Sequence, residues 1–428
     1  IKFAGLTEQT MHLRTLSVVH FKNIREAAVD FSPRLNAFIG NNGAGKTNFL
    51  DALYALSFSK SFFNPSDQMS VTHGESWFML QGRYEGESGE EQVVYAYRNG
   101  EKKQLRRNGK AYRKLADHIG RFPLVMVSPS DASLILGGSE ERRKFIDGVI
   151  SQYNPAYLDD LLRYNRVLLQ RNTLLKQMAP VGHPGHGNPP NGNSPNGSPD
   201  HGSSAYGPSG SGSSGHSPAD HGHSGQVASA HGSSAYGLLD VYDGELVRAG
   251  ESLYRLRKEF IRELKPVFQS FYTTISGGHE EVGLHYHSDL NSHDFEQLLK
   301  ETLPADRAAQ FTTAGIHKDD LRLTLDGHSL KKTGSQGQQK TYLVALKLAQ
   351  FEFIRQTAGI TPILLLDDIF DKLDSGRVEQ IVRMVAGDRF GQIVITDTNR
   401  DHLDTILQKV TPDYRIFMVD QGKVEVLR

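Results

Sequence analysis

Three short stretches of this 428-residue chain carry residue types and spacings suited to chemistry on a phosphate chain. The first is Gly40-Asn41-Asn42-Gly43-Ala44-Gly45-Lys46-Thr47-Asn48, which contains the spacing G-x-x-x-x-G-K-T. Glycines at 40, 43 and 45 let the backbone turn so that its N–H groups face a phosphate at a helix start, where helix polarity adds positive potential. Lys46 would then reach the β- and γ-phosphates, and Thr47 would offer its hydroxyl to Mg²⁺. The second stretch, 363–368, is an aliphatic run that ends in Asp367 and Asp368. A buried strand of this kind presents acids at its C-terminal edge, so Asp367 is expected to hold Mg²⁺ and Asp368 to polarise an attacking water. Taken alone, the run would also fit a strand ending in a solvated acidic turn, the weaker of the two readings. The third stretch is Gly334-Ser335-Gln336-Gly337-Gln338-Gln339-Lys340-Thr341, a polar turn with a serine placed to cap the helix that follows.

The surrounding elements supply the context these stretches need. Apolar runs at 13–21 and 35–39 read as strands, and the second feeds the glycine loop directly. After the loop, Phe49, Leu50, Leu53 and Leu56 fall at helical spacing. Residues 92–113 read as a β-meander, with Asn99-Gly100 and Asn108-Gly109 supplying the positive φ angles of two-residue hairpin turns. Buried strands are predicted at 121–127, 363–366 and 392–395, a strand with a turn at 321–327, and an amphipathic helix at 341–356. From Tyr157 the period becomes helical: Tyr157, Leu161, Tyr164, Leu168 and Leu175 form one stripe, ending near Met178. A second helix starts near Leu238, with the stripe Leu239, Tyr242, Leu246, Ala249, Leu253, Leu256 and Phe260. Two such helices in succession predict an antiparallel arm.

Between these helices, residues 180–237 are dominated by Gly, Ser, Pro, His and Asn, with no Lys or Arg, and HGSSAYG occurs at 201–207 and again at 231–237. So few apolar side chains cannot offset the entropy of ordering, so this reads as a disordered low-complexity insertion at the arm's tip. Its seven histidines show no fixed ligand spacing. A tolerated expansion accounts for them better than a metal site.

Composition narrows the partners. Lys plus Arg number 48 and Asp plus Glu 49, a formal charge of −1, so any nucleic-acid surface has to be a local patch. One such patch is residues 98–114, with eight basic residues against one acidic: Arg98, Lys102, Lys103, Arg106, Arg107, Lys110, Arg113 and Lys114. Placed on the meander, they would neutralise phosphates in a salt-dependent, sequence-independent way, although a solvated hairpin face would look the same. Arg142 and Arg143 form a second candidate patch or, equally, internal ion pairs. The absence of cysteine excludes disulfides, thiolate metal sites and cysteine nucleophiles, and accords with a reducing cytoplasm. No apolar run approaches the roughly 20 residues needed to span a bilayer, and no secretory pattern opens the chain. Met11 reads as a natural start, with residues 1–10 a leader or upstream extension.

At its place in the order, the 334–341 stretch resembles the signature segment of ATP-binding-cassette (ABC) ATPases. That likeness implies that Ser335, Gly337, Gln338 and the helix start grip a γ-phosphate bound by the opposite subunit. Asp374, in the sequence 371–374, would lie in the D-loop. From Met11 to the C-terminus, the insertion apart, the chain resembles the RecF family of bacterial recombination-mediator ATPases, built like a head of the SMC class. The resemblance rests on HFKNIREAAVDFSPRLNAFIGNNGAGKTNFLDAL, SPSDASLILGGSEERRKFID, YNRVLLQRNTLLK, GIHKDDLRLTLDG, SQGQQKT and LLLDDIFDKLD, in family order. The chain departs from the family at Ser139 (commonly Pro), Lys318 and Lys340 (Arg), and Asp371-Lys372 (Ser-Glu). No histidine follows the 392–395 strand, where transporters carry a switch histidine; residues 396–398 hold that place.

The resemblance implies an α/β, ABC/SMC-head-like P-loop ATPase lobe assembled from 11–150 and 310–428, with a helical arm lobe at 151–309. It implies ATP and Mg²⁺ as cofactors and an ATP-dependent homodimer with slow, DNA-stimulated hydrolysis. Lys46, Asp367, Asp368, Ser335 and Asp374 would be its catalytic residues. It further implies single- and double-stranded DNA at gaps and junctions, RecR-type and RecO-type mediators, RecA loading in the SOS response, and a cytoplasmic, nucleoid-associated location. The competing readings are an overcoming-lysogeny-type nuclease, an SMC protein and a transporter subunit. The first expects an acidic nuclease domain, yet only about 60 residues follow Asp368. SMC arms are longer than the segment available here, and a plain transporter domain lacks such an arm.

Overall fold

The structure, a computed structural model, describes all residues except 1–8, 88, 179–226, 279, 370–372, 386, 388 and 399–412. Its strands are of two kinds. β1 (Met11–Phe21), β2 (Ile24–Asp30), β4 (Trp77–Gly86), β5 (Gly89–Arg98), β6 (Gln104–Arg107) and β7 (Lys110–Ala111) form an antiparallel sheet in the order β2-β1-β4-β5-β6-β7. β4, for example, alternates buried Phe78, Leu80 and Tyr84 with wetter neighbours, as a strand with one solvated face requires. By contrast, β3 (Leu35–Ile39), β8 (Leu124–Val127), β12 (Ile363–Asp367) and β13 (Ile393–Asp397) are buried along their whole length. With β14 (Tyr414–Asp420) they make a parallel sheet in the order β14-β3-β13-β12-β8, closed by antiparallel β15 (Lys423–Val426) beyond β14.

The two-residue period of these buried strands splits their side chains between two cores. Phe38, Leu365, Val394 and Phe417 face the antiparallel sheet and helix α1 (Lys46–Phe58). Ala37, Ile39, Leu364, Leu366, Ile393 and Ile395 face a helical layer. That layer contains α3 (Ser139–Tyr153), which follows the single turn α2 (Ser133–Leu136), and α8 (Gln336–Ala358). The same core continues into α4 (Pro155–Gln177), α5 (Val227–Ser276) and α6 (Phe295–Ala309). A small sheet of β9 (Val282–His287), β10 (Asp320–Leu325) and β11 (His328–Ser329) leads through α7 (Leu330–Thr333) into α8, and α9 (Ser375–Val385) follows β12.

Two buried arginines fasten the base of the helix pair. Arg171 of α4 is fully buried and pairs with Asp306 at 2.6 Å and Asp243 at 2.5 Å. Arg257 of α5 pairs with Asp147 at 2.9 Å and donates to the Ile316 carbonyl at 2.9 Å. These bonds join α4 and α5 to α3, α6 and the 312–320 segment.

Three expectations need correction or addition. Helix α5 begins at Val227, inside the segment whose composition predicts disorder. Once a helix exists, adding residues to its end costs far less than nucleating one, and alanines here favour it. The rest of that insertion, 180–226, lies outside the described residues. Asn108-Gly109 is a two-residue turn, with φ of 50° and 77° and Arg107 opposite Lys110. Asn99-Gly100 is not: only Gly100 has positive φ, and the chain rejoins the sheet at Gln104, opposite Ala96. β2, β4, β9, β11, β14 and β15 have no counterpart in the sequence reading.

Candidate functional site

Three adjacent parallel strands, β3, β13 and β12, end at one edge of the sheet and deliver the chemically able residues there. Such an edge is where open α/β sheets bind ligands. β3 runs into Gly40, whose φ is 152° and where an added Cβ would lie 2.3 Å from the Val419 carbonyl oxygen; only glycine fits. Gly45 caps α1 with φ 115°, again a conformation side chains rarely adopt. Lys46 is buried, and its Nζ donates to the carbonyls of Gly40 at 2.8 Å and Asn41 at 3.1 Å. The Thr47 hydroxyl donates to Asp367 Oδ1 at 2.9 Å.

β13 lies between the other two strands and contributes Thr396. Its hydroxyl donates to Asp367 Oδ1 at 2.8 Å and accepts from the Asp368 N–H at 3.0 Å. Asp368 takes a left-handed φ of 48°, uncommon outside glycine, which turns the chain off the strand end. Together with Asn42, Gly43, Gly45 and Asn48, these groups line a cavity of about 170 Å³.

The electrostatics of the cavity favour a cation and an anion together. Burial holds the Asp367 carboxyl above its ordinary value and Asp368 adds to this, against the hydroxyls of Thr396 and Thr47 and the charge of Lys46. Burial lowers the Lys46 ammonium, opposed by Asp368, Asp367 and Asp397. A threonine hydroxyl and a carboxylate oxygen on one side of the pocket are hard oxygen donors of the kind Mg²⁺ takes. Facing them, the loop amides and Lys46 suit phosphate oxygens.

The signature stretch is built separately. Ser335 is exposed and caps α8: its Oγ accepts from the Gln338 N–H at 3.2 Å, and Gln338 Oε1 accepts from the Ser335 N–H at 2.9 Å. Gln338 also donates to Glu280 at 2.6 Å. Gly337 lies against Arg377 of α9, whose guanidinium would be 2.9 Å from an added Cβ. Asp374 is exposed and pairs with Arg377 at 3.2 Å. No residue of 334–341, and not Asp374, lines the cavity that holds Lys46 and Asp367. The D-loop expectation for 371–372 falls outside the described residues.

Residues 102–107 divide by strand parity, and the cations after them are set apart by exposure alone, Lys110 standing opposite Arg107. Lys103, Leu105 and Arg107 share the inner face of the meander. Lys103 pairs with Asp67 at 3.1 Å and donates to the Ser59 carbonyl at 2.7 Å, and Arg107 makes a two-point contact with Glu91. Lys102, Arg106, Lys110, Arg113 and Lys114 are exposed, as is Arg98, which pairs loosely with Glu101 at 3.8 Å. Arg142 and Arg143 take the internal role: Arg142 pairs with Asp320 at 2.6 Å, and Arg143 donates to the Asp319 carbonyl at 2.6 Å.

Residues 12–425 match the model of the RecF/RecN/SMC N-terminal domain. The DNA replication and repair protein RecF of Bacteroides thetaiotaomicron is 46% identical over 415 residues, covering 97% of this chain and 98% of that protein. RecF of Flavobacterium johnsoniae is 42% identical over 407 residues, covering 95% and 99%. The chain belongs to the RecF family. Its α/β, SMC-head-like architecture agrees with the solved structure of the recombination mediator RecF with ATP from the RecFOR pathway. The TM-score is 0.77, with 25% identity over 99% of both chains. The Smc head domain of Pyrococcus furiosus shares the fold, with TM-score 0.52 and 12% identity over 97% of this chain and 96% of that one. Among the described residues, no helix is long and apolar enough to cross a membrane.

Thr396 was visible in the sequence only as the residue standing where a switch histidine was sought. Its bonds make it the link that orients both acids. Asn23, in the turn between β1 and β2, lies in the stretch that carries the family resemblance but was given no role there. Its Nδ2 donates to the Ala44 carbonyl at 3.2 Å, and its Oδ1 accepts from Asn48 at 2.7 Å. Its neighbours in sequence, Lys22 and Ile24, belong to no phosphate motif, so only the packing reveals it.

Proposed function

We propose that this chain is an ATP-switched DNA-binding protein of replication and recombinational repair, acting on single-strand gaps, including those of the SOS response. One observation supports the reading: the 334–341 stretch lies outside the cavity formed at the 40–48 loop. Lys46, Thr47, Asp367 and Asp368 share a cavity to which Ser335, Gly337 and Gln338 contribute nothing. A second copy brings its Ser335 segment to that cavity, so ATP links two subunits on DNA and hydrolysis releases them.

Within each half-site the residues divide the work. The loop amides and Lys46 hold the β- and γ-phosphates, and Lys46 stabilises the charge that develops on transfer. Thr47 and Asp367 would hold Mg²⁺, which neutralises phosphate charge when bound. Asp368, fixed through its N–H by Thr396, polarises the attacking water. Ser335 and Asp374 act across the interface. Turnover is slow and DNA-stimulated, since a switch needs discrimination between states more than throughput.

The exposed cations Lys102, Arg106, Lys110, Arg113 and Lys114 meet the phosphates of single- and double-stranded DNA at junctions. The relative solved in the RecFOR pathway supports RecO-type and RecR-type mediators as partners, and the family resemblance extends this to RecA loading. A bacterial cytoplasm with access to the nucleoid is the setting.

Sedimentation with and without ATP, Mg²⁺ and gapped DNA tests this. The expected result is an ATP-dependent monomer-to-dimer shift, lost in Lys46→Met and prolonged in Asp368→Asn. A monomer in every condition overturns the composite-site mechanism.

A further inference from the structure

The peptide joining Ala44 to Gly45 is held from behind the loop. The Ala44 carbonyl accepts two hydrogen bonds, from the Gly422 N–H at 2.8 Å and from Asn23 Nδ2 at 3.2 Å. Neither donor lines the cavity, whereas Gly45 does. In a trans peptide the C=O and the following N–H point in opposite directions. Drawing the Ala44 carbonyl away from the cavity therefore aims the Gly45 N–H into it. That N–H is one of those a G-x-x-x-x-G-K-T loop offers to phosphate.

The turn bearing Asn23 is itself anchored. Its neighbour Lys22 places Nζ 2.6 Å from Asp51 of α1, and Asp51 is fully buried. Asp51 also accepts from the Ser61 hydroxyl and the Phe62 N–H, both at 2.6 Å. Gly422 presses on the same turn, where an added Cβ would lie 2.3 Å from the Asn23 carbonyl oxygen. Two turns distant in sequence, 22–23 and 421–422, thus back the loop as one unit. The Asn23 amide has its orientation fixed: its nitrogen faces a carbonyl and its oxygen faces the Asn48 amide.

We infer that Asn23 is a positioning residue for the phosphate-binding loop. It holds the Ala44 carbonyl back, keeps the Gly45 N–H turned to the cavity, and steadies Asn48 in the first turn of α1. The inference rests on the nucleotide-binding reading above. Asn23 is exposed, so its side chain adds little to the stability of the fold.

Calorimetric titration of the full chain with ATP and with ADP, both with Mg²⁺, tests this in Asn23→Ala and Asn23→Asp. Steady-state hydrolysis and melting of the ligand-free proteins complete the set. Loss of one oriented hydrogen bond predicts affinities for ATP and ADP lowered together by about three- to ten-fold in Asn23→Ala. KM should rise while kcat stays within about two-fold, because the Gly45 contact is made in ground and transition states alike. The melting temperature should stay within about 2 °C. Asn23→Asp should bind more weakly still, since a carboxylate would oppose the Ala44 carbonyl. Unchanged affinities in Asn23→Ala, or a lowered melting temperature with unchanged KM, would overturn the positioning role while leaving the nucleotide site standing. Failure of the unaltered chain to bind ATP would remove both.

Discussion

The Thr47 hydroxyl and Asp367 Oδ1 lie 2.9 Å apart, although 320 positions separate them in sequence. Parallel pairing of β3 and β12 with β13 between them brings the two ends together. Thr396 then completes a three-residue oxygen cluster by donating to the same carboxylate oxygen at 2.8 Å.

On the proposed reading, the cluster sets stability against metal binding. Burial and Asp368 raise the Asp367 carboxyl above its ordinary value, so the folded chain binds that proton more tightly than the unfolded chain does. Above the raised value both states are ionised and the folded state carries the full cost; the cost is relieved as pH falls through that value. Asp367→Asn should therefore raise the melting temperature of the ligand-free protein at pH 7. The same change should abolish stabilisation by Mg²⁺ with ATP. Melting curves with and without both ligands check the two signs, and a destabilised ligand-free variant would contradict this account of the carboxylate.

Ser335 offers a way to separate nucleotide binding from subunit association. It is exposed, and it lies outside the cavity of its own chain. Ser335→Arg should leave ATP affinity of the monomer within about two-fold while weakening ATP-dependent association at least about ten-fold. Ser335→Ala removes the α8 cap and should cost about 1 kcal/mol of stability as well. Analytical ultracentrifugation across a concentration series, beside ATP titration at dilute protein, measures both effects.

The contrast between Lys46 and Asn23 shows what the sequence made legible. Residues 40–48 and 363–368 are each contiguous, and each takes its meaning from spacing plus one neighbouring strand, so loop, acids and helix starts are legible in the chain itself. Thr396 and Asn23 act through hydrogen bonds between segments that only the sheet order brings together. The continuous apolar runs at 35–39 and 363–366 announced buried parallel strands, whereas β2, with the sequence IREAAVD, is too polar for its strand to stand out. The split of the basic run was available in principle: a two-residue period puts 103, 105 and 107 on one face, and Leu105 marks that face as buried.

That split, together with the exposure of Lys110 opposite Arg107, predicts two kinds of variant on one hairpin. Lys102→Ala, Arg106→Ala and Lys110→Ala should each weaken DNA binding uniformly across sequences and reduce the salt slope by up to about 1. Lys103→Ala and Arg107→Ala should leave that slope unchanged. They remove partners of Asp67 and Glu91 at partly exposed sites, so each should cost roughly 0.5–1 kcal/mol of stability. Fluorescence anisotropy at several salt concentrations, with urea unfolding of each variant, distinguishes the groups. Equal slopes for all five would show that DNA contacts a different surface.

His118 predicts an acid-sensitive joint beneath the loop helix. It is fully buried, and Nε2 lies 2.6 Å from the Leu56 carbonyl near the end of α1. A carbonyl can only accept, so Nε2 carries the proton and Nδ1 accepts from the Tyr112 hydroxyl at 3.1 Å. Burial pushes the imidazole down to about 4 from an ordinary 6.5, with Arg107 and Arg121 adding to the shift and the Leu56 carbonyl opposing it. Between those values the unfolded chain takes up a proton that the folded chain refuses, so stability falls as pH drops from 6.5 towards 4. The loss from this one group should reach on the order of 3 kcal/mol at the lower end. His118→Gln keeps a donor for Leu56 but cannot titrate, so it should be less stable at pH 7.5 yet lose less between pH 6.5 and 4.5. Urea midpoints at pH 7.5, 6.5, 5.5 and 4.5 for both proteins give the difference directly. Parallel pH profiles would mean that the acid sensitivity of the fold arises elsewhere.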